Sequence, residues 1–117
     1  MQHAMIDIET LGTMPNSVIM SVGGVKFDPF TSAEPFDGKH WKLDVDAQTS
    51  KGRLVDDNTL QWWAKQDSNI RDRAFGDEGR IAVEPFMKEI NAWLTGCETI
   101  WCQGPQFDMV ILEDIFR

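Results

Sequence analysis

Asp7 and Glu9 flank Ile8 near the start of the chain, inside the stretch Met-Ile-Asp-Ile-Glu-Thr-Leu-Gly. Side chains alternate along a strand, so residues two apart project to one face. Both carboxylates therefore share a face, while Ile6 and Ile8 point the other way, into a core. Two carboxylates held that close repel, and burial raises their pKa values unless a cation stands between them. Divalent Mg²⁺ or Mn²⁺, which favour oxygen ligands, suit such a pair. A third acid, Asp108, lies in Gly-Pro-Gln-Phe-Asp, where a helix is expected to begin. Taken singly, each feature also has an ordinary explanation. An Asp-x-Glu pair can be a solvated charge pair, and an acid in a first helical turn favours the dipole and fills a cap.

The elements that must position these acids can be read from period and punctuation. Ala4 to Ile8 suits a buried first strand, followed by a loop over Leu11 to Asn16 with Pro15 and Asn16 as turn residues. Ser17 to Phe27 reads as a long second strand, with Gly23-Gly24 marking a bulge or a close backbone approach. Trp41, Leu43 and Val45 alternate with Lys42, Asp44 and Asp46, which predicts a third strand. These three are expected to run antiparallel. Asp57 or Asn58 can then cap a helix with Leu60, Trp63 and Ala64 on one face. A second short helix is expected over Ser68 to Phe75, ending at Gly76. Steps of three and four through Val83, Phe86, Met87, Ile90, Trp93 and Leu94 predict an amphipathic helix, closed by Gly96. Thr99 to Cys102 reads as a fourth strand, and Gln106 or Phe107 opens a last helix. The whole predicts a single α/β domain over residues 1–117 with a mixed sheet.

Composition narrows the function classes. The chain has 117 residues, 42% of them hydrophobic and 26% charged, which is ordinary for a soluble domain with one core. Its formal net charge is −8, and its eleven Lys and Arg residues are scattered, so no basic stripe marks a nonspecific nucleic-acid coat. Acids that hold divalent cations escape that objection, because the ion inverts the local field. Cys97 and Cys102 match no metal or disulfide framework and are expected as reduced, partly buried thiols. No signal peptide or bilayer-spanning run is visible, so a cytoplasmic protein with no membrane partner is expected.

The two acidic blocks, in order, carry a resemblance. Met-Ile-Asp-Ile-Glu-Thr-Leu-Gly, with its Pro15-Asn16-Ser17 continuation, resembles motif I of the DEDD (DEDDh, DnaQ-like) 3′–5′ exonucleases, which include the proofreading subunits of DNA polymerases. Gly-Pro-Gln-Phe-Asp-Met-Val-Ile-Leu resembles their motif II. Thr59-Leu60-Gln61-Trp62-Trp63-Ala64-Lys65-Gln66 is similar to a helix of the phage and prophage exodeoxyribonuclease VIII-like branch, and to the Trp-Trp-x-x-Gln signature of a mycobacterial-type exoribonuclease branch. The resemblance runs from about Ala4 to Arg117. It implies a ribonuclease H-like fold, three antiparallel strands followed by a parallel one, flanked by helices. The site residues it implies are Asp7, Glu9 and Asp108, catalytic and metal-binding, with Thr10 and Leu11 near the substrate. Trp62 and Gln66 share a helical face apart from Leu60, Trp63 and Ala64, from which one of them is expected to approach the substrate, the alternative for Trp62 being a packing role. The substrate class is the 3′ end of single-stranded DNA or RNA.

In the two-metal scheme implied by that resemblance, ions about 3.5–4 Å apart activate a water and stabilise the leaving oxygen. Asp7 would bridge both ions, Glu9 would bind the first and contact the terminal nucleotide, and Asp108 would hold the second. Two departures bear on this. Where relatives often have Gly-Asn-Gly before Phe-Asp, this chain has Cys102-Gln103-Gly104. The family's third motif, a His with an Asp five residues later, has no counterpart, since Ile8 and Val45 stand five residues after His3 and His40. The expectation is a domain whose C-terminal part is missing and whose activity is weak or absent. The alternative is a catalytically incomplete nucleic-acid-binding or oligomerising fragment. An incomplete sheet face would expose apolar surface, so a homo-oligomer is a further expectation.

Overall fold

The computed structural model describes residues 2–102 and 105–116. In chain order the elements are β1 (Gln2–Thr10), β2 (Ile19–Phe27), β3 (Phe36–Leu43), α1 (Val45–Ser50), α2 (Asp57–Ala64), α3 (Ser68–Phe75), β4 (Arg80–Ile81), α4 (Val83–Leu94), β5 (Cys97–Trp101) and α5 (Pro105–Ile115). They build one mixed sheet in the order β4-β3-β2-β1-β5. β1, β2 and β3 pair antiparallel, while β5 runs parallel to β1 and β4 parallel to β3. Among the described residues no helix is long and apolar enough to cross a membrane. Cys97 and Cys102 are free and half-buried, as expected.

The alternation in β1 sorts the two faces of the sheet. Ala4, Ile6 and Ile8 are buried against Val22, Trp41 and Leu43 of the sheet, under Phe86, Ile90 and Trp93 of α4 and Ile111, Leu112 and Ile115 of α5. The outer face carries Met5, Asp7 and Glu9, of which the first two are exposed. A second, smaller cluster of Leu11, Val18, Met20, Trp63 and Ala74 seats α2 and α3 beside the end of β1. The steps of three and four in α4 bury Phe86, Ile90 and Trp93 as expected, and Gly96 leaves the helix at φ 87°, a conformation that favours glycine.

Gly24 shows both features expected of the Gly-Gly pair. The β2–β3 register shifts just beyond it. A Cβ at this position would stand 2.6 Å from the Trp93 ring and 3.2 Å from the Met5 carbonyl, so only glycine lets α4 approach the sheet this closely. Adding a methyl there forces a packed ring to move, which costs on the order of 1–3 kcal/mol.

Several boundaries differ from the sequence expectation. β1 extends beyond Ala4 to Ile8 at both ends, β2 begins at Ile19 while Ser17 only bridges Leu54, and β5 starts at Cys97 and ends at Trp101. The alternation through Val45 does not continue as strand. Asp44 accepts the Ala47 N–H at 3.1 Å and caps α1, so Val45 opens a helix. α2 is capped one residue earlier than expected, by Asp56, whereas α3 and its stop at Gly76 match. β4 has no counterpart among the sequence expectations. Two residues carry no period, and its place is secured by Arg80, whose guanidinium donates to the carbonyls of Met20, Leu43 and Ala74.

Candidate active site

The carboxylates of motif I stand on a strand whose far end is pinned. Glu9 accepts the Ser21 hydroxyl at 2.5 Å, from the residue directly opposite it on β2. The register then shifts between Glu9 and Thr10, and the chain turns away. The Thr10 hydroxyl donates to the Gly12 carbonyl at 2.7 Å, the Leu11 N–H donates to the Val18 carbonyl, and the Leu11 carbonyl accepts from Asp56. A Cβ on Gly12 would collide with the Ser17 hydroxyl, so the loop closes tightly around Ser17. Asp7 and Glu9 thus share one face, as the strand period requires, on a backbone with little freedom to shift.

Asp108 sits in the first turn of α5 and is only 5% exposed. Burial pushes its carboxyl pKa up, and the negative charge of Asp7 pushes it further. The Cys102 thiol, just before α5, is pushed up by burial and then by Asp108 and Asp7. Asp7, Cys102 and Asp108 therefore occupy one electrostatic neighbourhood, with β1 and α5 bringing together acids 101 positions apart in sequence. Among the described residues no three acidic, His or Cys side chains form a ready cation cage. The charge of Asp7 reaches Asp108, while Glu9 accepts the Ser21 hydroxyl. The donor set is all oxygen apart from the thiol, and a buried acid destabilised by a neighbouring acid is relieved by a hard divalent cation. The chemistry of these residues suits a hard divalent cation. Gln103 and Gly104, where the departure from the family pattern falls, lie outside the described residues.

Beside Glu9 opens a cavity of about 680 Å³, lined also by Thr10, Asn58, Thr59, Trp62 and Trp63. Trp63 is buried, and its indole N–H donates to the Thr10 carbonyl at 3.0 Å, so the wall is tied to motif I. Trp62 stands edge-on to Trp63 at 4.9 Å and keeps 55% of its surface exposed, with its ring available to a ligand. Of the residues expected near substrate, Thr10 and Trp62 line this cavity. Leu11 is buried in the small cluster under α2, and Gln66 lies outside the cavity wall, its amide donating to the Trp62 carbonyl at 3.0 Å. Sequence reasoning overlooked His40 and Arg73, which share a smaller cavity with Glu9. For His40 a signal existed: Trp41 inward in β3 places His40 outward, on the carboxylate face.

The chain matches the family model described as the 3′–5′ exoribonuclease Rv2179c-like domain over residues 2–117. It is 29% identical over 126 aligned residues to an exodeoxyribonuclease of Enterobacteria phage T4, covering 96% of this chain and 54% of that protein. The chain therefore spans about half the length of this curated relative. E. coli Exonuclease I, crystallised with a dT13 oligonucleotide, shares the fold at a TM-score of 0.68 and 16% identity, over 98% of this chain and 23% of that one. The zinc-bound form of an E. coli ExoI–ssDNA complex gives 0.68 at 17% identity, over the same 98% and 23%. The likeness is one of fold: the ribonuclease H-like mixed sheet with flanking helices that the sequence resemblance implied.

Proposed function

The chain belongs to the 3′–5′ exoribonuclease Rv2179c-like domain family, and on that premise we propose that it hydrolyses phosphodiester bonds at the 3′ end of single-stranded DNA or RNA. The observation that supports this reading is a cavity walled by Glu9 and an exposed indole, on the strand whose Asp7 charge acts on the buried Asp108. Asp7, Glu9 and Asp108 are the residues that would hold Mg²⁺ or Mn²⁺. Bound there, such ions supply an activated water and offset charge on the leaving oxygen. Glu9, steadied by Ser21, faces the cavity where the terminal nucleotide would lie. Thr10 lines that cavity, Leu11 anchors the loop behind it, and Gln66 braces the backbone of Trp62.

These 117 residues contain no His followed five positions later by Asp, the pair that would provide a general base and a further ligand. We therefore propose that they bind metal and substrate but cleave slowly on their own. Free thiols at Cys97 and Cys102 fit a reducing compartment such as the cytoplasm of a bacterium or an infected host. Exposed Met5, Val25 and Trp101 support self-association as a further expectation.

The test is a labelled single-stranded oligonucleotide, DNA or RNA, with a free or a blocked 3′ end. Expected are Mn²⁺-dependent binding and slow release of mononucleotides from the free 3′ end. Release from the 5′ end, or binding indifferent to the metal, refutes the nuclease reading, and rapid cleavage by these residues refutes the slow-turnover part. A companion prediction concerns Trp62. Base–aromatic stacking is worth about 1–3 kcal/mol, so Trp62→Ala is expected to weaken nucleotide affinity about tenfold, with Trp62→Phe retaining most of it. A calorimetric titration with a nucleoside monophosphate and Mn²⁺ measures both. Unchanged affinity in Trp62→Ala would remove that residue from the site.

A further inference from the structure

We propose that His40 and Arg73 form a phosphate-binding lip on the outer sheet face, which grips the nucleic-acid backbone one step away from the carboxylates. The inference rests on the nuclease reading above and extends it to how an acidic chain holds a polyanion. His40 lies opposite Gly23 on β2, and Gly23 lies opposite Asp7 on β1, so the three form one row across the outer face. Glycine in the middle leaves the row open, and a Cβ there would already touch the His40 ring at 3.6 Å. The imidazole consequently borders two hollows. One contains Asp7 and Gly23, and the other, about 280 Å³, contains Glu9, Ile70 and Arg73.

Arg73 has the chemistry such a lip requires. It occupies the last turn of α3, is exposed, and its side chain makes no hydrogen bond or ion pair among the described residues. Three other cations are committed, while Lys39 lines the Asp7 hollow beside His40. Arg71 donates to the Ala64 carbonyl, Lys42 to the Gly76 carbonyl at 2.7 Å, and Arg80 to three carbonyls of the fold. A guanidinium matches a phosphate with two parallel N–H donors, and an imidazole adds a further N–H. With a formal charge of −8 on the chain, a polyanion is repelled from most of this surface. An unpaired arginine in the same hollow as Glu9 supplies the local attraction. Ile70, 43% exposed in that hollow, offers an apolar surface to a sugar or base.

The test compares ligands that do and do not reach the lip. Binding of a short single-stranded oligonucleotide is followed by fluorescence anisotropy in Ca²⁺, beside binding of a nucleoside monophosphate and of Mn²⁺ alone. Arg73→Gln is expected to weaken the oligonucleotide about fivefold and the His40→Ala/Arg73→Gln pair about tenfold. The salt slope should fall by about 0.7 for each phosphate of a single strand that the variant no longer neutralises. Mononucleotide and Mn²⁺ affinities should stay unchanged, as should oligonucleotide binding by Lys88→Ala on the distant α4. Oligonucleotide affinity and salt slope preserved in the double variant overturn the lip while leaving the nuclease reading standing. An unmodified chain that binds neither Mn²⁺ nor oligonucleotide overturns both.

Discussion

Asp7→Asn is expected to abolish Mn²⁺ binding and to lower Mn²⁺-dependent cleavage by about a hundred- to a thousandfold, the scale on which catalytic electrostatic groups act, without loss of stability in the metal-free protein. Asp7 is exposed on the outer face and contributes nothing to the core, so the amide keeps the strand intact. Its charge acts on Asp108, whose pKa is held up first by burial and then by Asp7. The native state thus holds the Asp108 proton more tightly than the unfolded chain. Stability falls as pH rises from the ordinary carboxylate pKa through the raised one. Removing the Asp7 charge narrows that window, and the metal-free variant at neutral pH should melt at the same temperature or slightly higher.

Metal reverses the comparison. A ligand at a hundred times its dissociation constant stabilises the native state by about 2.7 kcal/mol. Mn²⁺ should therefore raise the melting temperature of the unmodified chain and leave that of Asp7→Asn where it was. Thermal melts with and without Mn²⁺, beside an isothermal titration, give both quantities. Equal Mn²⁺ protection of the two proteins would mean that the ion binds elsewhere, and the carboxylate site would lose its role.

Legibility in the sequence follows the range of the interactions. The strand period places Asp7 and Glu9 on one face, and the steps of three and four place Phe86, Ile90 and Trp93 in the core, because both patterns repeat within a few residues. Gly96 is likewise local, and so is the cap of α2, expected at Asp57 or Asn58 and found one residue earlier at Asp56. The same local rule misreads Val45, where alternation continues in the sequence but the Asp44 side chain has already begun a helix. β4 and the walls of the cavity depend on partners far along the chain. Arg80 reaches back 60 residues to Met20, and Trp63 reaches back 53 to Thr10. No short window reports such pairings. His40 is the instructive case: in the sequence it stands out only against a motif it does not match, while its row on the sheet places it beside the acids.

Gln48 is invisible in the sequence for the same reason, and its loss is expected to damage the fold most. It is 2% exposed in a short helix whose residues have little intrinsic preference for one. Its amide oxygen accepts the Ile19 N–H at 2.9 Å, and its amide nitrogen donates to the Ile19 carbonyl at 2.8 Å and the Asp44 carbonyl at 2.9 Å. The side chain thereby replaces the missing backbone partner where β2 begins, and Ile19 itself is fully buried. Gln48→Leu preserves volume but strands a buried donor and a buried acceptor, each costing about 1–3 kcal/mol. The expected loss is about 3 kcal/mol, a fall of roughly 10 °C in melting temperature. Ser21, two residues along β2, holds Glu9, so the start of this strand also sets one acid of the site. Urea unfolding of Gln48→Leu, with Mn²⁺ titration in the folded range, measures both effects. A loss below about 1 kcal/mol would mean that water or a shifted backbone takes over the hydrogen bonds of Gln48, and the start of β2 would then be held by its strand pairing instead.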